Sequence, residues 1–459
     1  MNFSSVTFLF FFLPLVVALY FAVPRRGWRN GLLLVASLLF YSWGEGGGLL
    51  LLLVSIGMNH LFSHRVARGA RPWLAIGVAA NLLLLILFKY LGLIGDSFVQ
   101  LGGGEPQSGA IYRLPLPLGI SFFTFQAISL LIDVSRGSAP ARSLFRTGLY
   151  ISMFPQLVAG PIVRWDTFRD QISERVESWN RFSSGARLFV LGLSQKVLIA
   201  DPVGRVSDSA FGADPGTLST GSAWLGLTAF TLQIFFDFAG YSNMAIGMGR
   251  VFGFDLPENF RHPYSSGSFQ EFWRRWHMTL SRWFRDYLYI PLGGSRAGEA
   301  RTYRNLLIVF VLCGLWHGAA WTFLLWGLWH GAFLVAERLG RKAGFPRLPR
   351  LIGVAYTVLF VALGWVLFRA ESLRHALAYW GDLWPSEGGA TIDVPESALY
   401  ALVIGVILSW DRVTRLGEGV AAQGFIGAGL RWGSVLVLLL LCFAAVASST
   451  HQPFLYFRF

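Results

Sequence analysis

Two Trp-His-Gly triplets, Trp316-His317-Gly318 and Trp329-His330-Gly331, sit inside the otherwise apolar run LLIVFVLCGLWHGAAWTFLLWGLWHG, residues 306 to 331. A third histidine, His277, lies just upstream in the aromatic segment SFQEFWRRWHMTLSRWFRDYLYIPLGG, residues 267 to 293. Residues 230 to 260 add Gln233, Asp237, Ser242 and Asn243 to apolar surroundings. An ionisable side chain held in a membrane is costly and is a functional candidate by default. A buried imidazole suits proton abstraction, because desolvation disfavours the imidazolium and leaves the ring available as a base. Each residue also has a plainer reading. His277 can be a packing residue beside Trp276, and Asp237 can be a paired carboxylate that pins neighbouring helices. Cys313 and Cys442 both lie in apolar runs, which gives no support to a disulfide framework or a zinc cluster.

These residues must be positioned by membrane-embedded helices. The chain has 459 residues, 54% hydrophobic and 14% charged, with a mean hydropathy of +0.52. That is far more apolar than a water-soluble domain, of which about a quarter is charged. Windows near 7–23, 31–44, 48–63, 73–94, 115–134, 183–200, 222–249, 351–369, 397–411 and 432–449 read as ten crossings. The first has no basic residue before it and is read as a retained span rather than a cleaved signal. With the N-terminus outside, cytoplasmic loops carry 30 of the Lys and Arg residues and outside segments 5. The positive-inside rule therefore places both termini outside and explains the net charge of +13 without nucleic acid.

That threading requires residues 306–337 to enter and leave on the cytoplasmic side. Leu306 to Trp316 makes about 16 Å of helix, half of a hydrocarbon core of about 30 Å. Gly318 then permits a turn, so the stretch reads as a buried hairpin with His317 at its tip. Residues 267–293 repeat apolar side chains at Phe272, Trp273, Trp276, Leu280, Trp283, Phe284, Tyr287 and Leu288, which predicts one amphipathic helix at the cytoplasmic surface. His277 falls on its apolar stripe. Arg274 and Arg275 near the cytoplasmic mouth suit either positive-inside anchoring or contact with donor phosphates. Trp316, Trp321, Trp326 and Trp329 suit either the wall of a site or packing.

The motifs MNFSSVTFLFFFLPLVVALY, PLPLGISFFTFQAISLLIDVSRG, FPQLVAGPIVRW, FFDFAGYSNMAIGMGRVFGF, EFWRRWHMTLSRWFRDYLYIPLGG, LWHGAAWTFLLWGLWHG and the terminal PFLYFRF resemble the membrane-bound O-acyltransferase family. Within it they resemble the bacterial alginate O-acetyltransferase-like branch. The resemblance covers nearly the whole chain as one membrane domain, 1–459. It implies an all-α polytopic membrane protein: a ring of about ten transmembrane helices, with re-entrant and interfacial helices, around a central tunnel. It implies an acyl thioester donor, acetyl-CoA, used as a substrate on the cytoplasmic side with no permanently bound cofactor. It also implies a polysaccharide acceptor outside, a periplasmic partner of SGNH-hydrolase type, and the bacterial inner membrane. The family's essential histidine corresponds to His317, and a second polar signature corresponds to His277. Asn243 departs from the Asp that relatives often carry and is assigned no catalytic role.

The expected function is acetyl transfer for O-acetylation of an extracellular polysaccharide such as alginate. His317 is expected as general base, with His277 orienting a reactant or stabilising charge. Asp237, Arg274, Arg275, His330 and Trp316 are expected beside the site. Two rivals remain: D-alanyl transfer to teichoic acid from a carrier protein, and a proton-coupled secondary transporter, for which no inverted repeat is visible. On one unbroken helix, His317 and His330 would point about 220° apart. The two triplets are therefore expected to be unequal, with His330 either structural or supporting the site from behind its contact residues.

Overall fold

The computed structural model describes residues 1–102, 104, 114–296, 298–385, 388–411, 425–448, 454 and 455. Arg113, Arg412, Arg415, Arg458 and most of the terminal PFLYFRF motif lie outside the described residues. Among the described residues the chain is helical, and the β pairing is an isolated bridge between Leu218 and Ala390. All ten apolar windows form helix over most of their length. Among the described residues, five helices are long and apolar enough to cross a membrane: Gly48–Ala67, Pro72–Leu101, Thr220–Val251, Arg350–Arg369 and Gly429–Ser448. Phe8–Ala22, Ile120–Ser135 and Glu396–Leu408 are shorter apolar helices.

The chain divides into two compact units, the first comprising Met1–Phe189 with Tyr241–Pro257 and the second Val190–Gly240 with Glu258–Phe459. In the first, the rings of Phe8, Phe40 and Phe154 pack together. Several of its buried polar groups pair with one another, as favoured where no water competes. Arg175 donates to the Tyr20 hydroxyl at 2.9 Å and to the Phe252 carbonyl at 3.0 Å, while Tyr20 donates to Glu177 at 2.7 Å. Asn59 and Asn81 exchange side-chain amide bonds at 3.0 and 2.7 Å.

In the second unit, a π-helical turn at Gln195–Ala200 holds Lys196, a placement frequent at sites with special demands. Lys196 donates to Asp237 at 2.6 Å and pairs with Asp201 at 2.7 Å. Asp237 also accepts the backbone N–H of Leu455 at 2.7 Å, so the buried carboxylate anchors the last described residues. The remaining elements of this unit, residues 258–385, build the site.

Candidate active site

The apolar stretch with two triplets folds as two antiparallel helices, Glu299–His317 and Trp321–Lys342, joined through Gly318–Ala320. They touch backbone to backbone. A Cβ on Gly314 would lie 2.2 Å from the Phe323 carbonyl oxygen, and one on Gly327 would lie 2.1 Å from that of Phe310. A Cβ on Gly318 would lie 2.0 Å from the Phe323 ring. Small residues here are what allow the helices to meet. Both helices extend beyond the purely apolar residues, out to Glu299 and Lys342. Charged side chains are solvated at those open ends, and Lys342 pairs with Glu299 across them.

Residues 267–293 depart from the single helix that their periodicity predicts. Phe269–Trp273 and Met278–Phe284 are separate short helices, followed by a π-helical turn at Arg285–Tyr289. The break is at His277, whose backbone is left-handed at φ +41°. Non-glycine residues adopt that region only when the surroundings hold them there. Asn259 does so. Its carbonyl oxygen accepts the Met278 N–H at 2.9 Å, and its side-chain oxygen accepts the Thr279 N–H at 3.3 Å and hydroxyl at 2.9 Å. Asn259 thus caps the second helix from a distant part of the chain. The first helix is capped by Ser268, which accepts from the Glu271 N–H at 3.1 Å, and by Glu337, which accepts from the Phe269 N–H at 2.6 Å.

The break turns His277 into the same cluster as His317. The two imidazoles lie 6.3 Å apart between ring centroids, and Trp316 is 5.8 Å from His277. The Asn259 side-chain oxygen also meets His277 Nδ1 at 3.0 Å. An oxygen that already accepts two bonds takes a proton from Nδ1, which leaves the lone pair on Nε2. Burial pushes the His277 imidazolium down to about 3, so this ring stays neutral. His317 is enclosed by Trp326 at 5.0 Å and Phe368 at 5.3 Å. His330 packs on the same Trp326 ring at 4.8 Å, so the turn at Gly318 brings the two triplets to one indole.

A cavity of about 420 Å³ lies beside this cluster. Leu280, Phe310 and Cys313 form apolar wall, while Arg274, Arg285, Arg338 and Arg341 bring cationic groups. Among the described residues, neither Arg274 nor Arg338 has a carboxylate partner. Cys313 precedes His317 by four residues and so shares its helix face. Trp273, another wall residue, packs on Trp326 at 5.9 Å. Trp273 meets His330 directly, and through Trp326 it connects the cavity wall to His317.

The structure thus gathers His277, His317, Trp316 and His330, and places Arg274 on the cavity. Arg275 is used otherwise, pairing with Glu271 at 2.8 Å and Asp411 at 3.9 Å. Asp237 is engaged with Lys196 and Leu455, which supports the reading of it as a paired, pinning carboxylate. Asn259, Arg338 and Arg341 go unsingled by sequence. The two arginines were within reach, because residues 326, 330, 334, 338 and 341 recur at helical spacing and line one face. Nothing local marks Asn259, whose partners lie about twenty residues onward.

The model of the membrane-bound O-acyltransferase family matches residues 143–344. A probable alginate O-acetylase of Azotobacter vinelandii is 38% identical over 100% of both chains. A probable alginate O-acetylase of Pseudomonas aeruginosa is 44% identical over 89% of this chain and 79% of its own. A peptidoglycan O-acetyltransferase of Helicobacter pylori is 38% identical over 82% of this chain and 78% of its own.

Proposed function

The chain belongs to the membrane-bound O-acyltransferase family, and from that premise we propose that it transfers acetyl from acetyl-CoA for O-acetylation of an extracellular polysaccharide such as alginate. It is an O-acyltransferase; the acetyl group is supported by relatives at 38% identity and above that are O-acetyl enzymes. The observation that carries the site assignment is the apposition of two buried histidines, connected through Trp326 and Trp273 to the wall of an arginine-bearing cavity.

In this reading Arg274 and Arg338 take phosphate oxygens of the donor through charge-assisted hydrogen bonds. The apolar wall receives its thiol-terminated arm and delivers the thioester toward His317. His317 removes the proton of the acceptor hydroxyl as its oxygen attacks the thioester carbonyl carbon. Collapse of the tetrahedral adduct breaks the carbon–sulfur bond, and the imidazolium returns the proton to the leaving thiolate. His277, fixed by Asn259, orients the reactants. The tryptophan and phenylalanine rings exclude water, which competes with the acceptor for the acyl group.

The charge asymmetry of the loops supports the cavity facing the cytoplasm and both termini outside; in this reading the membrane is the bacterial inner membrane. The family's ring of about ten helices around a tunnel then lets donor and acceptor stay on opposite sides. A periplasmic SGNH-hydrolase-type partner would pass the acetyl group to glycan. The test is O-acetyl ester on surface polysaccharide with and without the gene, combined with acetyl-CoA turnover by purified protein in liposomes. Loss of ester on deletion and turnover of acetyl-CoA are expected. Unchanged ester, or turnover only with a D-alanyl carrier protein, overturns the reading.

A further inference from the structure

His330 has no step in this scheme, yet it is fully buried and, among the described residues, makes one directional contact. Trp273 Nε1 donates to His330 Nδ1 at 3.3 Å. An indole nitrogen can only donate, so Nδ1 must be bare and the proton must sit on Nε2. The His330 ring is otherwise surrounded by aromatics: Phe269 at 5.5 Å, Trp326 at 4.8 Å and Trp365 at 6.1 Å. Its Nε2 faces Gly364, where an added Cβ would stand 3.5 Å away. Trp273 meanwhile forms wall of the donor cavity and packs edge-on against Phe310, another wall residue, at 4.9 Å. It also sits immediately before Arg274, one of the cations of that cavity.

We propose that His330 is a positioning residue whose bare Nδ1 locks the Trp273 indole as the wall of the donor cavity, and so sets affinity for the thioester donor. Trp273 ends a helix of five residues, Phe269–Trp273, too short to hold its own side chains by helix rigidity. The indole bond supplies the missing restraint from the long Trp321–Lys342 helix. The second Trp-His-Gly triplet then serves substrate binding while the first serves chemistry, which gives the two copies distinct tasks.

The inference rests on the cavity being the donor site, and Arg274→Ala tests that premise separately. Acetyl-CoA turnover is measured in proteoliposomes for wild type, Trp273→Phe, His330→Leu, His330→Asn, the Trp273→Phe/His330→Leu double variant and Arg274→Ala. Trp273→Phe and His330→Leu should each raise KM for acetyl-CoA about tenfold with kcat within about twofold, since each leaves one polar partner of the bond behind. The double variant should be no worse than either single, because both remove the same bond. The Asn carbonyl oxygen occupies the position of Nδ1 and accepts equally well, so His330→Asn should keep a near-normal KM. If His330→Leu fails to accumulate, Trp273→Phe against His330→Asn gives the same decision. A fall in kcat at unchanged KM, additive losses in the double variant, or failure of His330→Asn to restore KM overturns the proposal. Arg274→Ala at wild-type KM overturns the donor-site reading instead, whereas a raised KM there with Trp273→Phe and His330→Leu unmoved overturns only the indole coupling.

Discussion

Substituting Gly314 by alanine adds one methyl group where the two hairpin helices touch. That carbon would stand 2.2 Å from the Phe323 carbonyl oxygen and 3.2 Å from the Gly327 Cα. Ordinary contact begins at 3.4 Å, so the helices must part by about 1.2 Å at this level. The obstructing atom is backbone and has no rotamer in which to retreat. Overpacking of this kind costs about 1–3 kcal/mol of stability. Its effect on chemistry is larger, because His317 lies one turn away and a displacement of about 1 Å from productive geometry costs about 10²-fold in rate. The assay is acetyl transfer per mole of folded protein in proteoliposomes, with melting temperature recorded in parallel. Gly327→Ala should behave alike, since its Cβ would meet the Phe310 carbonyl at 2.1 Å, and the double variant should lose less than the product of the two. Gly57→Ala, where a Cβ meets nothing within 4 Å, should be silent. Near-wild-type turnover in Gly314→Ala would refute the claim that hairpin contact positions the catalytic histidine.

Asn259→Ala removes both the partner of His277 Nδ1 and the cap of the Met278–Phe284 helix; we expect a stability loss of about 1 kcal/mol and a turnover loss of about 10²-fold, with partial recovery in Asn259→Asp. Lys196→Met strips the cation from Asp237, which is 2% exposed, and should destabilise by about 3–5 kcal/mol in thermal unfolding, an effect that Asp237→Leu added to it should largely reverse. Burial works to raise the Glu271 carboxyl, but the Arg350 hydrogen bond, the Gly267 N–H and Arg275 together hold it below its ordinary value. Its contribution is therefore present in full above the ordinary value of 4.5 and is lost as pH falls through the lowered one. Acid unfolding monitored by tryptophan fluorescence should show this, and Glu271→Gln should flatten that part of the curve.

The site was legible in the sequence to the extent that its parts announce themselves individually. His277 and His317 are costly residues in apolar runs, and the distance between them in the chain does not hide that. The glycines between the triplets permit the turn that brings His330 back to Trp326. Periodicity failed at residues 267–293 because one left-handed residue divides the segment without changing the order of apolar side chains. Asn259, which holds that residue, belongs to an unremarkable DLPENF run and acts only through tertiary contact. The Lys196–Asp237 pair was equally out of reach. Its members are 41 positions apart, and each alone reads as an isolated charge in a span. Arg338 and Arg341 stand on the His330 face but blend into an ordinary positive-inside cluster until a cavity appears beside them.

In the proposed mechanism His317 moves the proton during acyl transfer from a donor bound in the adjoining cavity. That role is tested most directly by radiolabelled acetyl-CoA and His317→Ala protein in liposomes, with donor binding and transfer measured on the same preparation. The variant should bind acetyl-CoA as wild type does and transfer no acetyl group above background. Transfer at the wild-type rate by a folded His317→Ala protein would contradict it.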